Sequence, residues 1–268
     1  MTDPSPVAAT STSDPVSPLD RFRLDGRVAI VTGASSGLGE HFARVLHAVG
    51  ATVVVTARRL DRLERLAAEL SGSFAVAADV ADEHDRERLV ASTLERFGQV
   101  DVLVNNAGIG EKMAIEDEPL ERFRLAMEVN VTAPWHLCKL VAPSMIEHGG
   151  GSIVNVASML GHVGATPVKQ AHYCASKGAV VNLTRELALQ WARKGITVNA
   201  LCPGWFPSEM TEGMDSDEGS IQFIRTNTPI PRMGELAELD GALLLLASPA
   251  GSFLTGQSII VDGGWTAR

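Results

Sequence analysis

The sequence predicts an α/β protein built on a doubly wound parallel sheet, with helices packed on both faces. Short runs of β-branched residues alternate along the chain with longer segments of helical period. The predicted strands are mostly apolar throughout, which is typical of strands covered on both faces. Successive parallel strands need a crossover connection, and the intervening helices supply it. The alternation indicates about seven strands.

The first unit of the chain reads as strand, helix, strand. "RVAIVT" (27–32) is an apolar, β-branched run, and the segment after it carries apolar residues at Leu38, Phe42 and Val45. Spacings of three and four residues place these side chains on one face of a helix. "TVVVTA" (52–57) is the second predicted strand.

The later elements repeat this unit. The further predicted strands lie at 73–80, 101–108, 151–158, 195–204 and 258–264. The further predicted helices lie at 61–70, 82–97, 119–148 and 172–194. Because ligands of such sheets bind at the carboxyl ends of the strands, residues that directly follow a strand are the candidates for binding.

Composition indicates one soluble globular domain. Of the 268 residues, 45% are hydrophobic and 21% charged, and no apolar run approaches the ~18 residues of a membrane span. Acidic residues outnumber basic ones 32 to 23, which argues against nucleic acid as a partner. We expect a disordered tail over residues 1–20, which are rich in Ser, Thr and Pro, and a single catalytic domain over residues 21–268.

Cysteine usage indicates a reducing compartment. Cys138, Cys174 and Cys202 are odd in number and lack the close pairs of a zinc site or a compact disulfide framework. The N-terminal residues have neither the basic segment nor the apolar run of a signal peptide. We therefore expect free thiols in a cytoplasmic protein.

A glycine-rich turn, "TGASSGLG" (32–39), joins the first strand to the first helix. Without side chains at Gly33, Gly37 and Gly39, the backbone can turn tightly and approach a pyrophosphate held at the helix N-terminus. The G-x-x-x-G-x-G spacing differs from the Walker loop and from the G-x-G-x-x-G fingerprint. The turn therefore predicts a dinucleotide-binding site whose glycine spacing is distinct from both of these motifs.

From this motif onward the sequence resembles the short-chain dehydrogenases/reductases over roughly residues 25 to 264. The matching motifs, in order, are "TGASSGLG", "ADV" (78–80), "NNAG" (105–108), "EVNVT", "NVASM", "YCASK", "PGWFPS" (203–208) and "VDGG" (261–264). The resemblance implies a Rossmann fold and metal-free hydride transfer between NAD(H) or NADP(H) and an alcohol or carbonyl. It also implies a homotetramer.

The glycine turn and the resemblance together give the expected cofactor-binding residues. These are Gly33, Ser35, Ser36, Gly37, Leu38, Gly39, Arg58, Asp79, Val80, Asn106, Ala107, Gly108, Tyr173, Lys177, Pro203, Gly204, Phe206 and Ser208.

Tyr173 is the only tyrosine of the chain and stands four residues before Lys177. In a helix, this spacing puts both side chains on one face with Cβ atoms about 5–6 Å apart. At an effective dielectric of ~20, a unit charge ~5 Å away would lower the pKa of a phenol from ~10 towards ~8. Tyr173 is thus the expected general acid and base.

Two further residues complete the expected catalytic set. Ser158 follows a strand and would bond the substrate oxygen, stabilising charge that develops there. The resemblance implies that Lys177 also holds the nicotinamide ribose and that Asn130 fixes a water which relays protons. Taken singly, a serine in this place is typical of a cap, and an asparagine in a helix is typical of a solvated helix end.

The end of the second predicted strand indicates the cofactor. Ala57 stands where a family member that prefers NAD typically has an acidic residue, so no carboxylate would repel a 2′-phosphate. Arg58 follows and would pair with that phosphate, helped by Ser35 or Ser36. This pattern favours NADP(H) over NAD(H). Arg59 and Arg62 are expected to be solvated charges on the next helix.

The substrate pocket is expected to be apolar. Contacts are expected from Ser158, Met159, Trp205 and Met210, which suit a ketone, a secondary alcohol or an acyl chain. Fourteen residues separate Ser158 from Tyr173, about two more than is common in the family, and the surplus in "ATPVK" should form a loop beside the pocket. His162 and His172 in this region are expected to be loop or surface residues.

Three functions fit the sequence. The first is an NADP(H)-dependent ketone or 3-oxoacyl reductase. The second is an NAD(H)-dependent sugar-acid or polyol dehydrogenase, which needs more polar residues in the pocket. The third is a nucleotide-binding regulator without catalysis, for which a full set of catalytic residues would be superfluous.

Residues 208–229 are polar and interrupted by glycine, so they are expected to form a mobile lid with a short helix.

Overall fold

A computed structural model describes residues 17–267 of the chain. Its centre is a sheet of seven strands in the order β3-β2-β1-β4-β5-β6-β7, and every neighbouring pair is parallel. The strands are β1 Val28–Thr32, β2 Thr52–Ala57, β3 Phe74–Ala77, β4 Val102–Asn105, β5 Gly151–Val156, β6 Ile196–Pro203 and β7 Ser258–Val261. The doubly wound α/β fold predicted from the sequence is confirmed.

Helices cover both faces of the sheet. They are α1 Gly37–Ala48, α2 Leu60–Glu69, α3 Glu83–Phe97, α4 Leu120–Met127, α5 Ala133–Glu147, α6 Ala171–Trp191, α7 Glu218–Asn227 and α8 Asp240–Ala247. Alternate residues of β1 point to opposite faces, so Ala29 and Val31 pack against α1, α2 and α8 in one core. Val28 and Ile30 pack against α3, α5 and α6 in the other. α8 did not stand out as a separate element in the sequence.

The helix predicted over 119–148 is interrupted. A π-helical turn, Glu128–Thr132, separates α4 from α5 and buries Asn130. Pro134, in the first turn of α5, has no N–H with which to bond the carbonyl four residues earlier, at Asn130. Such turns are frequent at functional sites, and this one carries an expected catalytic residue.

The N-terminal boundary lies earlier than predicted. Pro18–Phe22 forms a 3-10 turn, although residues up to 20 were expected to be disordered. Ser17 caps this turn, since its hydroxyl accepts from the Leu19 N–H while the Asp20 carboxylate accepts from the Ser17 N–H. The rest of the predicted tail, residues 1–16, lies outside the described residues.

The strand order reverses direction between β1 and β4, in the middle of the sheet. In sheets of this kind, ligands bind in the crevice outside the carboxyl ends of the strands at such a point. The hydroxyl of Thr32, at the end of β1, accepts hydrogen bonds from the N–H groups of Asn106 and Ala107, both at 3.0 Å. The Asn106 amide donates in turn to the Thr32 carbonyl at 2.9 Å. The glycine turn and the "NNAG" segment are thereby held side by side. Within residues 17–267, no helix combines the length and apolar character that crossing a membrane requires.

Candidate active site

A cavity of about 820 Å³ opens at the carboxyl ends of β1, β2, β4, β5 and β6. The residues expected to bind cofactor line it, with the exception of Gly39. The four expected substrate contacts, Ser158, Met159, Trp205 and Met210, also line it. The structure therefore collects into one cleft motifs that are spread over most of the chain.

The glycine turn forms the floor of this cavity. Gly33 and Gly37 have φ of +67° and +55°, a backbone region that residues with side chains rarely adopt. Gly39 lies one layer behind, where a Cβ would stand 2.3 Å from the carbonyl oxygen of Gly33. This close approach holds the N-terminus of α1 against the turn. A bare backbone before a helix N-terminus fits the pyrophosphate of a dinucleotide.

Asn130 supports the site from behind and does not line the cavity. Its side chain accepts from the Ile109 N–H at 2.9 Å and donates to the Ile109 carbonyl at 2.8 Å and to the Ser176 hydroxyl at 2.9 Å. A Cβ on Gly108 would lie 3.3 Å from Oδ1 of Asn130 and 3.4 Å from Nζ of Lys177. Asn130 thus braces the loop after β4 next to the lysine.

Tyr173, Ser158 and Lys177 meet at the inner end of the cavity. Tyr173 and Lys177 lie one turn apart on α6. Ser158 stands two residues after the end of β5, where its hydroxyl caps a 3-10 turn by accepting from the Leu160 N–H at 3.1 Å. Ser158 is 6% exposed and Lys177 4% exposed. Ser158, Tyr173 and Lys177, which the sequence analysis assigned to one catalytic set, therefore lie close together, and Ser158 and Lys177 are buried.

The pKa of Tyr173 departs from the sequence-based expectation. Part of its ring faces the cavity, but the surrounding protein desolvates the phenol and raises its pKa to about 12, although the bond from Ser158 acts in the opposite direction. Burial also lowers the pKa of Lys177 to about 8, and its ammonium donates to the Val156 carbonyl at 2.8 Å. The expected lowering towards ~8 is wrong for the free protein, because burial has the largest effect on the pKa of this phenol.

The arginine that reaches the glycine turn is Arg59, whereas Arg58 was expected. Arg59 donates to the hydroxyl of Ser35 from Nε at 3.1 Å and to that of Ser36 from Nη2 at 2.9 Å. Arg58 lines the cavity but is exposed. Residues two apart share a side in an extended chain, so Arg59 follows Ala57 towards the cavity. The expectation that Arg59 is a solvated helix charge is wrong.

The substrate end of the cavity contains polar residues that the sequence analysis missed. Glu111, Lys112 and Gln170 line it beside Val168. Met113 forms an isolated parallel bridge with Gln170, so the loop before α6 forms a wall as expected. These residues stand in loops of no recognisable pattern, and only their position after β4 and before α6 could have indicated them.

His172 is buried, contrary to the expectation of a loop or surface residue. It is 1% exposed, and its Nδ1 lies 2.6 Å from a carboxylate oxygen of the equally buried Glu118. Its Nε2 accepts from the Glu111 N–H at 3.3 Å. The pair ties the loop after β4 to the start of α6. No local signal joins residues 54 positions apart in the sequence.

One candidate metal cluster occurs among residues 17–267, and it lies outside the cavity. Glu83, Glu87 and His136 bring ligand atoms within 4.8 Å of one another. Nδ1 of His136 accepts a hydrogen bond from Nε of Arg86 at 3.1 Å, which leaves the proton of a neutral imidazole on Nε2. Metal-free chemistry in the cavity stays a prediction.

The chain is similar to known proteins over most of its length. Residues 33–266 match a protein-family model described as enoyl-(acyl carrier protein) reductase. The chain is 40% identical to galactitol 2-dehydrogenase (L-tagatose-forming) of Cereibacter sphaeroides over 91% of this chain and 97% of that protein.

Solved structures of similar sequence share the fold of this chain. A short-chain type dehydrogenase/reductase from Mycobacterium marinum is 37% identical, with a TM-score of 0.89 over 94% of this chain and all of that one. A gluconate 5-dehydrogenase from Burkholderia cenocepacia, in complex with NADP and tartrate, is 35% identical, with a TM-score of 0.88 over 93% of this chain and 99% of that one.

Proposed function

Because the chain belongs to the short-chain dehydrogenase/reductase family of NAD(P)-dependent oxidoreductases, we propose that it transfers hydride between NADP(H) and a ketone or secondary alcohol. The observation that carries the proposal is that Ser158, Tyr173 and Lys177 all line the cavity, with the ammonium of Lys177 5.5 Å from the centre of the Tyr173 ring. A bound nicotinamide would supply the hydride donor or acceptor. A non-catalytic regulator would need none of these three side chains.

In this mechanism Tyr173 and Ser158 act on the substrate oxygen. The Ser158 hydroxyl donates a hydrogen bond to that oxygen and stabilises the negative charge it gains during reduction. The Tyr173 hydroxyl donates its proton to the same oxygen during reduction and accepts it during oxidation. A pKa of about 12 keeps the phenol protonated at neutral pH, which is the form that donates a proton during reduction.

Lys177 and Asn130 support this proton transfer. The ammonium lies beside the phenol, so it stabilises the tyrosinate that forms when Tyr173 gives up its proton. Asn130 fixes the loop that carries Ile109, and it would hold the water through which Lys177 exchanges protons with solvent. The role of that water is part of the proposal.

The cofactor preference rests on the end of β2. Ala57 offers no carboxylate to the adenosine ribose, while Arg59, Ser35 and Ser36 supply donors suited to a 2′-phosphate. Backbone at Gly33 and Gly37 would approach the pyrophosphate, and Lys177 would hold the nicotinamide ribose. The NADP in the Burkholderia relative supports this preference.

The first candidate substrate is a ketone or a 3-oxoacyl thioester. Met159, Trp205, Met210 and Met214 line the cavity near Ser158 and give an apolar wall. Methionine side chains adapt to acyl chains and rings of different shape. The description of the matching family model, which names an acyl-carrier-protein substrate, supports this candidate.

The second candidate is a sugar acid or polyol. Glu111, Lys112 and Gln170 supply the polar lining that this reading requires, and Lys112 could pair with a carboxylate. The similarity to galactitol 2-dehydrogenase and gluconate 5-dehydrogenase supports it. NADPH oxidation with ketones, keto-sugar acids and 3-oxoacyl thioesters, together with NADP⁺ reduction by polyols, separates the candidates. Lys112→Gln should weaken only the acidic sugar substrates.

We also propose a cytoplasmic homotetramer. Large apolar side chains are exposed on α4, α5 and α6. They are Leu120, Phe123, Leu125, Trp135, Ile146 and Leu189. The resemblance to the family implies subunit contacts on these helices. The free cysteines Cys138, Cys174 and Cys202 suit a reducing compartment. Light scattering of the purified protein tests the assembly, and a monomer would contradict it.

A further inference from the structure

An anion-binding cluster stands at the adenosine end of the cavity, and we define it as Ser35, Ser36, Arg59 and Arg62. Two atoms of the Arg59 guanidinium, Nε and Nη2, donate to the Ser35 hydroxyl at 3.1 and 2.8 Å. Nη2 also donates to the Ser36 hydroxyl at 2.9 Å. Ser35 is 6% exposed, so these bonds fix the direction of the guanidinium at the wall of the cavity.

A carboxylate from a distant segment occupies this cluster. Glu209, which follows β6 by six residues, accepts from Nη1 and Nη2 of Arg59 at 2.7 and 3.0 Å. It also accepts from Nη1 of Arg62 at 2.9 Å. These bonds, those from Arg59 first, lower the pKa of Glu209 to about 2, so the carboxylate is charged at any pH suitable for an enzyme assay. Glu209 itself lines the cavity.

Carboxylate and phosphate recognise the same features of arginine. Both accept paired hydrogen bonds from the planar guanidinium, and a phosphate monoester adds a second negative charge and a third oxygen. A guanidinium already engaged by one anion cannot give the same donors to another. Two anions at this short range also repel each other, and the exposed position of the cluster reduces that repulsion without removing it.

We propose that Glu209 competes with the 2′-phosphate of NADP(H) for Arg59, and that it thereby limits the discrimination between NADP(H) and NAD(H). The proposal rests on the cofactor site proposed above. NADP(H) must displace the carboxylate from Arg59 before its own phosphate is bound. NAD(H) carries a neutral hydroxyl in that place and leaves the ion pair intact.

Glu209 belongs to a short segment that lines the cavity. Its neighbours Ser208 and Met210 both line the cavity, and Ser208 lies beside Gly37 of the glycine turn. Release of Glu209 from Arg59 and Arg62 removes the charged contacts that tie this short segment to α2. The segment is then held by its remaining contacts, such as the Thr211 hydroxyl on the Phe206 carbonyl at 2.7 Å.

The test measures binding of NADP⁺ and NAD⁺, which differ only in the 2′-phosphate, by calorimetry at fixed salt. Glu209→Gln keeps the size of the side chain and removes its charge. Glu212→Gln removes the same charge from an exposed residue of the same segment and serves as the matched control. Exposed charge pairs change equilibria by factors of about two to five, so Glu209→Gln should tighten NADP⁺ about fivefold and change NAD⁺ less than about twofold.

The outcomes separate the inference from the cofactor preference. Selective tightening of NADP⁺ by Glu209→Gln, with no change in Glu212→Gln, supports the competition whichever cofactor the wild type prefers. Unchanged or weaker NADP⁺ binding in Glu209→Gln overturns it, as does equal tightening of both cofactors. Tighter binding of NAD⁺ than NADP⁺ by the wild type instead overturns the proposed preference. Thermal unfolding of each variant checks that the fold is retained.

Discussion

The ammonium nitrogen of Lys177 lies 5.5 Å from the centre of the Tyr173 ring and donates a hydrogen bond to the backbone carbonyl of Val156 at 2.8 Å. The strand residue therefore fixes the lysine beside the phenol. Because both side chains are desolvated there, each resists its charged form in the free protein.

Replacing Tyr173 with phenylalanine should abolish turnover while leaving the fold and cofactor binding intact. The change keeps the ring and removes the hydroxyl that transfers the proton. We expect kcat to fall by ~10²- to 10⁴-fold or more, since general acid–base catalysis usually contributes a factor in this range. Steady-state kinetics measure the loss, and calorimetric cofactor binding is the control. A variant with near-normal kcat would mean that another group transfers the proton.

The ionisation of Tyr173 can be followed directly, because the chain has one tyrosine. Burial raises its pKa to about 12, so tyrosinate absorbance of the native, cofactor-free protein should stay low at pH 10. The same protein unfolded in urea should titrate near ~10, the ordinary value for a phenol. A native midpoint below that of the unfolded protein would instead favour control by the Lys177 charge.

Burial of Lys177 should make stability depend on pH. Its pKa is about 8 in the folded protein and 10.5 ordinarily, so the unfolded chain binds more protons between these values. The free energy of unfolding of the wild type, relative to Lys177→Met, should therefore rise between pH 8 and 10.5 by up to roughly 3 kcal/mol. Below pH 8 the difference between the two should be constant.

Urea unfolding of both proteins at pH 7, 9 and 10 measures this difference. Tyr173 stays protonated in the folded protein up to pH 10, so its contribution cancels on subtraction. Parallel stability curves over the whole range would mean that Lys177 is not desolvated in the folded protein.

A methyl group at Gly39 should disrupt the cofactor site. The Cβ of Gly39→Ala would meet the Gly33 carbonyl oxygen at 2.3 Å and Nδ2 of Asn106 at 2.5 Å, so α1 and the glycine turn must separate. Overpacking of this kind lowers the free energy of unfolding by ~1–3 kcal/mol. Because the displaced turn would bind the pyrophosphate, we also expect a loss of NADP⁺ affinity of about tenfold or more. Calorimetry measures the affinity.

Gly241 offers a matched control for this substitution. It also lies in the first turn of a helix, α8, but an added Cβ there would have no atom within 4 Å. Gly241→Ala should leave cofactor binding unchanged and raise the free energy of unfolding by up to ~1 kcal/mol, since alanine suits a helix better. Equal effects of the two substitutions on binding would contradict the packing argument.

Arg59, rather than Arg58, should govern binding of the 2′-phosphate. A charge-assisted hydrogen bond contributes ~1.5–3 kcal/mol, so Arg59→Ala should raise the KM for NADPH about tenfold or more. The KM for NADH should barely change. Arg58→Ala removes the same charge one residue earlier and should have a smaller effect. A larger effect at Arg58 would restore the assignment made from the sequence.

The sequence by itself determined the architecture and the core of the catalytic set. The bounds of β2, Thr52–Ala57, coincide with the predicted strand, because an apolar β-branched run has few other ways to be buried. The spacing of Tyr173 and Lys177 likewise placed both on one face of α6. These are local properties, fixed by the period of a strand or a helix.

Tertiary structure decided what depends on distant contacts. Glu209 reaches Arg59 across 150 residues, and Glu118 reaches His172 across 54, and no periodicity links either pair. The choice between Arg58 and Arg59 depended on how the chain turns after β2. The pKa of Tyr173 depended on how much water the folded protein excludes from the phenol. Spacing along a chain cannot give these properties, because packing between elements sets both which side chains meet and how far they are desolvated.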